Sequence, residues 1–155
     1  MPDRTYIPRQ PPTFVDRVLH HPFEIFMGAW WSVCGVVLML SLVWPELPTS
    51  PSIQELPPWL ALSASGTIGL GGAAVLLGLL IPWDRVDKGW YIERIGLSTA
   101  GTGWLGYGGT VLGLYPQSIV SWSLGFTMAG AAALRFAATI VVEKRTRRAI
   151  AKRGV

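Results

Sequence analysis

Four long apolar segments, separated by short polar or proline-rich stretches, dominate the pattern of this chain. They predict membrane-spanning helices at about residues 23–44, 59–83, 91–114 and 119–142. At a rise of 1.5 Å per residue, an apolar helix of about 20 residues crosses the hydrocarbon layer of a bilayer. The predicted fold is therefore all-α, a polytopic integral membrane protein whose transmembrane domain of four helices covers residues 23–142.

Polar segments flank this domain on both sides. Residues 1–22 form an N-terminal arm that is rich in proline, and residues 143–155 form a basic tail. Within the arm, Asp16 and Arg17 lie opposite an apolar face, which predicts a short amphipathic helix in the membrane interface. A solvated linker is the open alternative for this stretch. The apolar face consists of Phe14, Val15, Val18 and Leu19.

The basic residues are segregated along the chain. Twelve of the thirteen lysines and arginines precede the first apolar segment, surround the second connection or follow the last segment. The first and third connections contain none. Because lysine and arginine accumulate in cytoplasmic loops, this pattern predicts a polytopic membrane protein with both termini in the cytoplasm.

The composition agrees with a membrane environment. Half of the residues are apolar and only 14% are charged, whereas about 25% of the residues of soluble domains are charged. The net charge of +4 could suggest nucleic acid, but the basic residues lie at the predicted membrane boundaries, so anionic lipid is the predicted partner. The residues predicted to contact anionic lipid are Lys144, Arg145, Arg147, Arg148, Lys152 and Arg153.

Arg135 is the exception to this segregation, since it lies well inside the fourth predicted span. An unpaired arginine at that depth costs at least about 2.5 kcal/mol. It can extend towards the headgroups, or it can pair with Glu24 or Glu93, which lie near the same ends of their own spans. The sequence predicts a polar cluster of Glu24, Glu93 and Arg135 that either lines a pathway, locks an assembly or fixes helix register.

Small residues recur at intervals of four in three of the predicted spans. In a membrane such positions let helices approach closely, and they favour packing within one chain or between copies. The pattern therefore predicts a homo-oligomer or a complex with another membrane protein. The predicted packing positions are Ser65, Gly69, Ala73, Gly109, Gly113, Ser121, Gly125, Ala129, Ala133 and Ala137.

The sequence contains none of the spacings typical of a zinc peptidase, a nucleophile elbow or a phosphate-binding loop. His20 and His21 are adjacent, so on a helix their rings point about 100° apart, and a solvated pair is the simpler interpretation. Cys34 is the single cysteine, which excludes a disulfide within the chain. We therefore predict no enzymatic activity, no cofactor and no metal site.

The layout resembles the small multi-span, holin-like membrane proteins encoded by phages of actinobacteria. The resemblance covers most of the chain and implies a phage membrane protein located in the bacterial inner membrane, but it carries no individual functional residue over. It rests on the basic tail, His21-Pro22-Phe23-Glu24, the proline-rich connection Pro45–Pro58, Gly71-Gly72 and Ile92-Glu93-Arg94-Ile95-Gly96.

Three functional hypotheses follow. The first is a holin-like protein that self-associates in the inner membrane, chiefly through the fourth span, and permeabilises it. The second is an accessory or scaffold subunit of a larger membrane or phage-related assembly, which the proline-rich arm favours. The third is a regulator of phage entry or host exclusion.

Overall fold

The computed structural model describes residues 14–44, 46–47, 56–81 and 86–152. Over these ranges the chain is helical and contains no β-strand, which confirms the predicted all-α class. The helices of the described ranges are α1 (Phe14–His20), α2 (Pro22–Val43), α3 (Pro58–Leu80), α4 (Val86–Leu114) and α5 (Ile119–Lys152).

Three of these helices are long and apolar enough to cross a membrane. They are Pro22–Val43, Pro58–Leu80 and the Ile119–Arg145 part of α5, and they indicate a membrane location. Helix α4 is 29 residues long but is not among them. Glycine, serine and threonine recur along it and charged residues lie in its first turns, which lowers its mean hydropathy. A fourth span therefore remains a prediction.

Helix α1 lies in the segment where a short helix was predicted, whereas the start of α4 differs from expectation. Helix α1 has seven residues, and Val15 and Leu19 are exposed, so its insertion into a membrane interface stays a prediction. Residues 84–90 were expected to form a connection, yet α4 already begins at Val86. The early turns of α4 pack closely on α3, because a Cβ on Gly78 would lie 2.9 Å from the Gly89 carbonyl oxygen.

Prolines and short turns set the limits of the long helices. Pro22 and Pro58 occupy first-turn positions of α2 and α3, where the missing N–H loses no helical hydrogen bond. Between α4 and α5, the Ser118 N–H donates to the Tyr115 carbonyl over 2.9 Å. This tight turn reverses the chain, so α4 and α5 are antiparallel.

The four long helices pack in chain order, α2 on α3, α3 on α4 and α4 on α5. Glycines face each other in two of these interfaces. A Cβ on Gly35 would overlap the backbone of Gly69, and a Cβ on Gly125 would lie 2.7 Å from the Cα of Gly108. The absence of side chains at these glycines brings the helix backbones close together. Helix α4 lies between α3 and α5 and packs against both.

The interior is mostly apolar, and so is much of the exterior. Exposed apolar side chains continue along the outer face of α2, including Val33, Val36 and Val43. Contiguous apolar surface of this kind is rare on soluble monomers and suits contact with lipid. The buried apolar side chains include Trp31, Ile68, Val75, Leu97, Trp104 and Val111.

Candidate functional site

Arg135 lies at the centre of an ion-pair cluster that joins three helices. Its Nη1 lies 2.9 Å from Glu24 Oε1 of α2, and its Nε donates to Glu93 Oε1 of α4 over 2.9 Å. The structure thus brings together the three residues that the sequence placed in one polar cluster. The sequence left open which glutamate pairs with Arg135, and in the structure both do.

The two carboxylates differ in their surroundings. Glu24 lies in the first turn of α2 with 18% of its side chain exposed, whereas only 3% of the Glu93 side chain is exposed. Helix α3 covers the backbone at Glu93, because Gly78 has no side chain and a Cβ there would lie 2.6 Å from the Glu93 nitrogen. Glu93 is therefore fixed by packing, and Glu24 lies at an edge.

A second ion pair continues the cluster along α5. The Arg94 guanidinium forms a salt bridge with Glu143. It also donates from Nε to Thr139 Oγ1 over 3.1 Å and from Nη2 to the Thr139 carbonyl over 3.0 Å. The sequence interpretation missed this pair, because the orientation rule alone accounted for Arg94. The spacing of the polar residues could have revealed this pair, because residues four apart share one face of a helix. Residues 135, 139 and 143 thus lie on one face of α5, and in the structure this face contacts the adjacent residues 93 and 94 of α4.

The cluster lies at the end of the helices where α2 and α4 begin and where α5 continues into the basic tail. We call this the basic end. His21 is also near, with Nδ1 4.0 Å from Glu24 Oε2. The hydrogen bonds that Arg135 and Arg94 donate are charge-assisted, and such bonds are stronger than neutral ones. Chemically, the arrangement holds α2, α4 and α5 at fixed relative heights, and the described residues contain no group of three or more metal-ligating side chains.

A small cavity of about 50 Å³ adjoins the cluster between α2 and α5. Such a volume has room for only a few waters, each needing roughly 10–15 Å³ by this measure. Glu24 and Arg135 form its polar end and Trp31 and Ala131 its apolar side. The contact between α2 and α5 is thus made by side chains around a cavity, unlike the close backbone contacts elsewhere.

The predicted packing positions divide into internal and outward-facing ones. Ser65 and Gly125 are buried, Gly69 meets Gly35 across the α2–α3 interface, and Ala73 is half-buried. By contrast, no atom lies within 4 Å of a Cβ placed on Gly109 or Gly113. On α5, Ser121 and Ala129 are half-buried, while Ala133 and Ala137 are exposed.

The basic tail continues α5 as helix as far as Lys152. Lys144, Arg145 and Arg148 are exposed, as contact with lipid headgroups would require. The side chains of Arg147 and Lys152, and the whole of Arg153, lie outside the described residues.

Comparison of the chain with protein-family models, curated proteins and solved structures gives no match.

Proposed function

We propose that the chain is a four-span protein of the bacterial inner membrane that self-associates and permeabilises the bilayer, like the holin-like phage proteins that its sequence resembles. Both termini lie in the cytoplasm, and the exposed tail residues Lys144, Arg145 and Arg148 contact anionic headgroups. Each basic residue near an anionic surface contributes about 1 kcal/mol of attraction. The protein acts without enzymatic chemistry.

The position of α4 supports its role as the fourth span. It packs against both α3 and α5, each of which is long and apolar enough to cross a membrane. A helix that lies between two spanning helices and connects to one of them through a tight turn shares their bilayer. Its lower hydropathy follows from glycines that serve close packing, such as Gly108 against Gly125.

The outward face of α4 carries the proposal of self-association. Thr102, Gly106, Gly109 and Gly113 are exposed, and the three glycines have no atom within 4 Å of an added Cβ. A helix face with three exposed glycines presents little side-chain surface to lipid chains. It lets a second helix approach closely, and Gly109 and Gly113 have the spacing of such dimer interfaces. We call these four residues the α4 crest.

The crest shifts the expected interface from α5 to α4. The sequence favoured the fourth span, but Gly125 of that helix is used within the chain against Gly108. Ala133 and Ala137 remain exposed on α5, and Ala133 lines a groove of about 520 Å³ between α4 and α5. Contacts between copies would thus centre on the α4 crest and extend over this groove.

Expression of the whole chain in a bacterial host, with membrane potential and growth followed in time, tests the function. We expect abrupt depolarisation after a period of accumulation. Gly109→Leu together with Gly113→Leu should delay or abolish depolarisation and shift the protein towards monomer in mild detergent. Ala29→Leu, at an exposed position of α2, is the matched control and should behave as the parent.

Harmless accumulation of the parent chain as a stable monomer would contradict both parts of the proposal. It would favour the accessory-subunit hypothesis instead. Depolarisation that is equally fast in the doubly substituted chain would exclude the α4 crest as the contact between copies.

A further inference from the structure

Helix α2 is attached to the rest of the protein unequally on its two sides. Towards α3 it makes an extensive interface, in which Gly28 lies against Gly72 and Gly35 against Gly69. Towards α5, the described residues show no comparably extensive interface. There the link consists of the Glu24–Arg135 ion pair and the walls of the small cavity.

Two carboxylates share Arg135, so the ion pair between Glu24 and Arg135 can break at a low cost in free energy. Breaking a buried ion pair is costly mainly because one charge is left without a partner. When Glu24 leaves, Arg135 keeps its hydrogen bond to the buried Glu93. Glu24 itself is more exposed than Glu93 and lies in the first turn of α2, near the basic end. Release therefore leaves Arg135 with one carboxylate partner and Glu24 at the basic end of the helices.

The remaining helices are tied more firmly at the basic end. Arg94 of α4 holds both Thr139 and Glu143 of α5, and Glu93 adds a further bond from α4 to Arg135. Movement that separates α2 from α5 therefore leaves the α4–α5 pair intact.

From these contacts we propose that the Glu24–Arg135 ion pair is a latch, and that its release lets α2 swing on its α3 interface and open a cleft between α2 and α5. The cleft widens the existing cavity, so Met27 and Trp31 of α2 separate from Ala131 of α5. All three residues line that cavity in the closed state. This inference concerns conformation alone, and it holds whether or not the protein permeabilises membranes.

Cross-linking in lipid vesicles tests the latch on the full chain. Met27→Cys and Ala131→Cys, in a Cys34→Ser background, place one thiol on each wall of the cavity. A short bifunctional thiol reagent then reports how often α2 and α5 are close. The control pair is Gly101→Cys with Ala132→Cys across α4 and α5, because a Cβ on Gly101 lies 3.2 Å from the Ala132 Cβ.

We expect efficient cross-linking of the 27–131 pair in the parent chain and a several-fold lower yield after Glu24→Gln. Glu93→Gln should leave the yield unchanged, because Arg135 then still holds Glu24. The control pair should cross-link equally in all three chains.

Four results would each overturn the proposal. These are a poor yield in the parent, an unchanged yield after Glu24→Gln, an equal fall after Glu93→Gln, and a parallel fall in the control pair. The last would show that the whole fold requires Glu24, which would then not be a latch.

The reaction rate of the native cysteine is a second test that needs no engineered pair. Cys34 is half-buried and lies seven residues beyond Met27 on the same helix face. Glu24→Gln should accelerate its reaction with a maleimide several-fold, and an unchanged rate would contradict the opening of a cleft.

Discussion

Replacement of Arg135 by leucine removes the cation that two carboxylates share. Glu93 loses a bond of 2.9 Å while only 3% of its side chain is exposed. Removal of one partner from a buried ion pair destabilises proteins by about 3–5 kcal/mol, because the other charge stays buried. Glu24 is more exposed, so its loss of a partner contributes less. We therefore expect Arg135→Leu to lower the free energy of unfolding by about 3–5 kcal/mol.

Thermal unfolding of the purified protein in lipid nanodiscs measures this change. The eight tryptophans supply a near-ultraviolet circular dichroism signal that depends on their packing. In a chain of this length each kcal/mol shifts the midpoint by about 2–4 °C, so the fall should be on the order of 10 °C. Arg145→Leu is the matched control, because Arg145 is exposed and its loss should change stability by about 0.5 kcal/mol or less.

The double substitution Arg135→Leu with Glu93→Leu separates a stranded charge from a general loss of contacts. Replacement of a whole buried ion pair by apolar side chains is often neutral or stabilising, so most of the lost stability should return. Two results would refute the reasoning. One is a single variant whose midpoint lies within about 2 °C of the parent, and the other is a double variant that is less stable than the single one.

Two further predictions concern other parts of the chain. Gly35→Ala places a Cβ against the Gly69 backbone, so the α2–α3 interface must open and the thermal unfolding midpoint should fall. Gly66→Ala is the control, because its Cβ meets no atom within 4 Å, and its effect on stability should be neutral or stabilising. Neutralising the exposed tail residues should weaken binding of the detergent-solubilised protein to vesicles rich in anionic lipid by about 1 kcal/mol per residue, and raised salt should reduce the difference. Equal vesicle binding by the parent chain and the neutralised variant at low salt would show that the tail does not contact headgroups. The residues to be replaced by glutamine are Lys144, Arg145 and Arg148.

The helices and the central ion pair were accessible from the sequence for physical reasons. Apolar length predicts a spanning helix directly, and prolines such as Pro22 and Pro58 mark helix starts. Arg135 stood out because a charge inside an apolar segment requires a partner. Arg94 did not stand out, since its place near a membrane boundary already had an explanation. Its bond to Glu143 depends on the rotation of α4 about its axis, which the orientation rule does not address.

The rotation of a helix about its axis also decides which of its small-residue faces meets a neighbouring helix. Spacing of four identifies a small face but not the neighbour that it meets. Gly69 meets Gly35 of α2, whereas Gly109 and Gly113 point away from the described residues. Helix α4 carries small residues on several sides, so its rotational phase cannot be read from glycine positions. The inner glycines of α4 can be distinguished from those of the α4 crest only once the positions of α3 and α5 on its two sides are known.

The length of α5 has a mechanical consequence. Its 34 residues extend about 51 Å as a single helix, while the hydrocarbon layer is about 30 Å thick. In the proposed topology, roughly 20 Å of uninterrupted helix therefore projects beyond the hydrocarbon layer at the basic end. Because no flexible joint separates this projection from Glu143 and Arg135, a tilt imposed on the tail by the membrane surface acts as a lever on the ion-pair cluster.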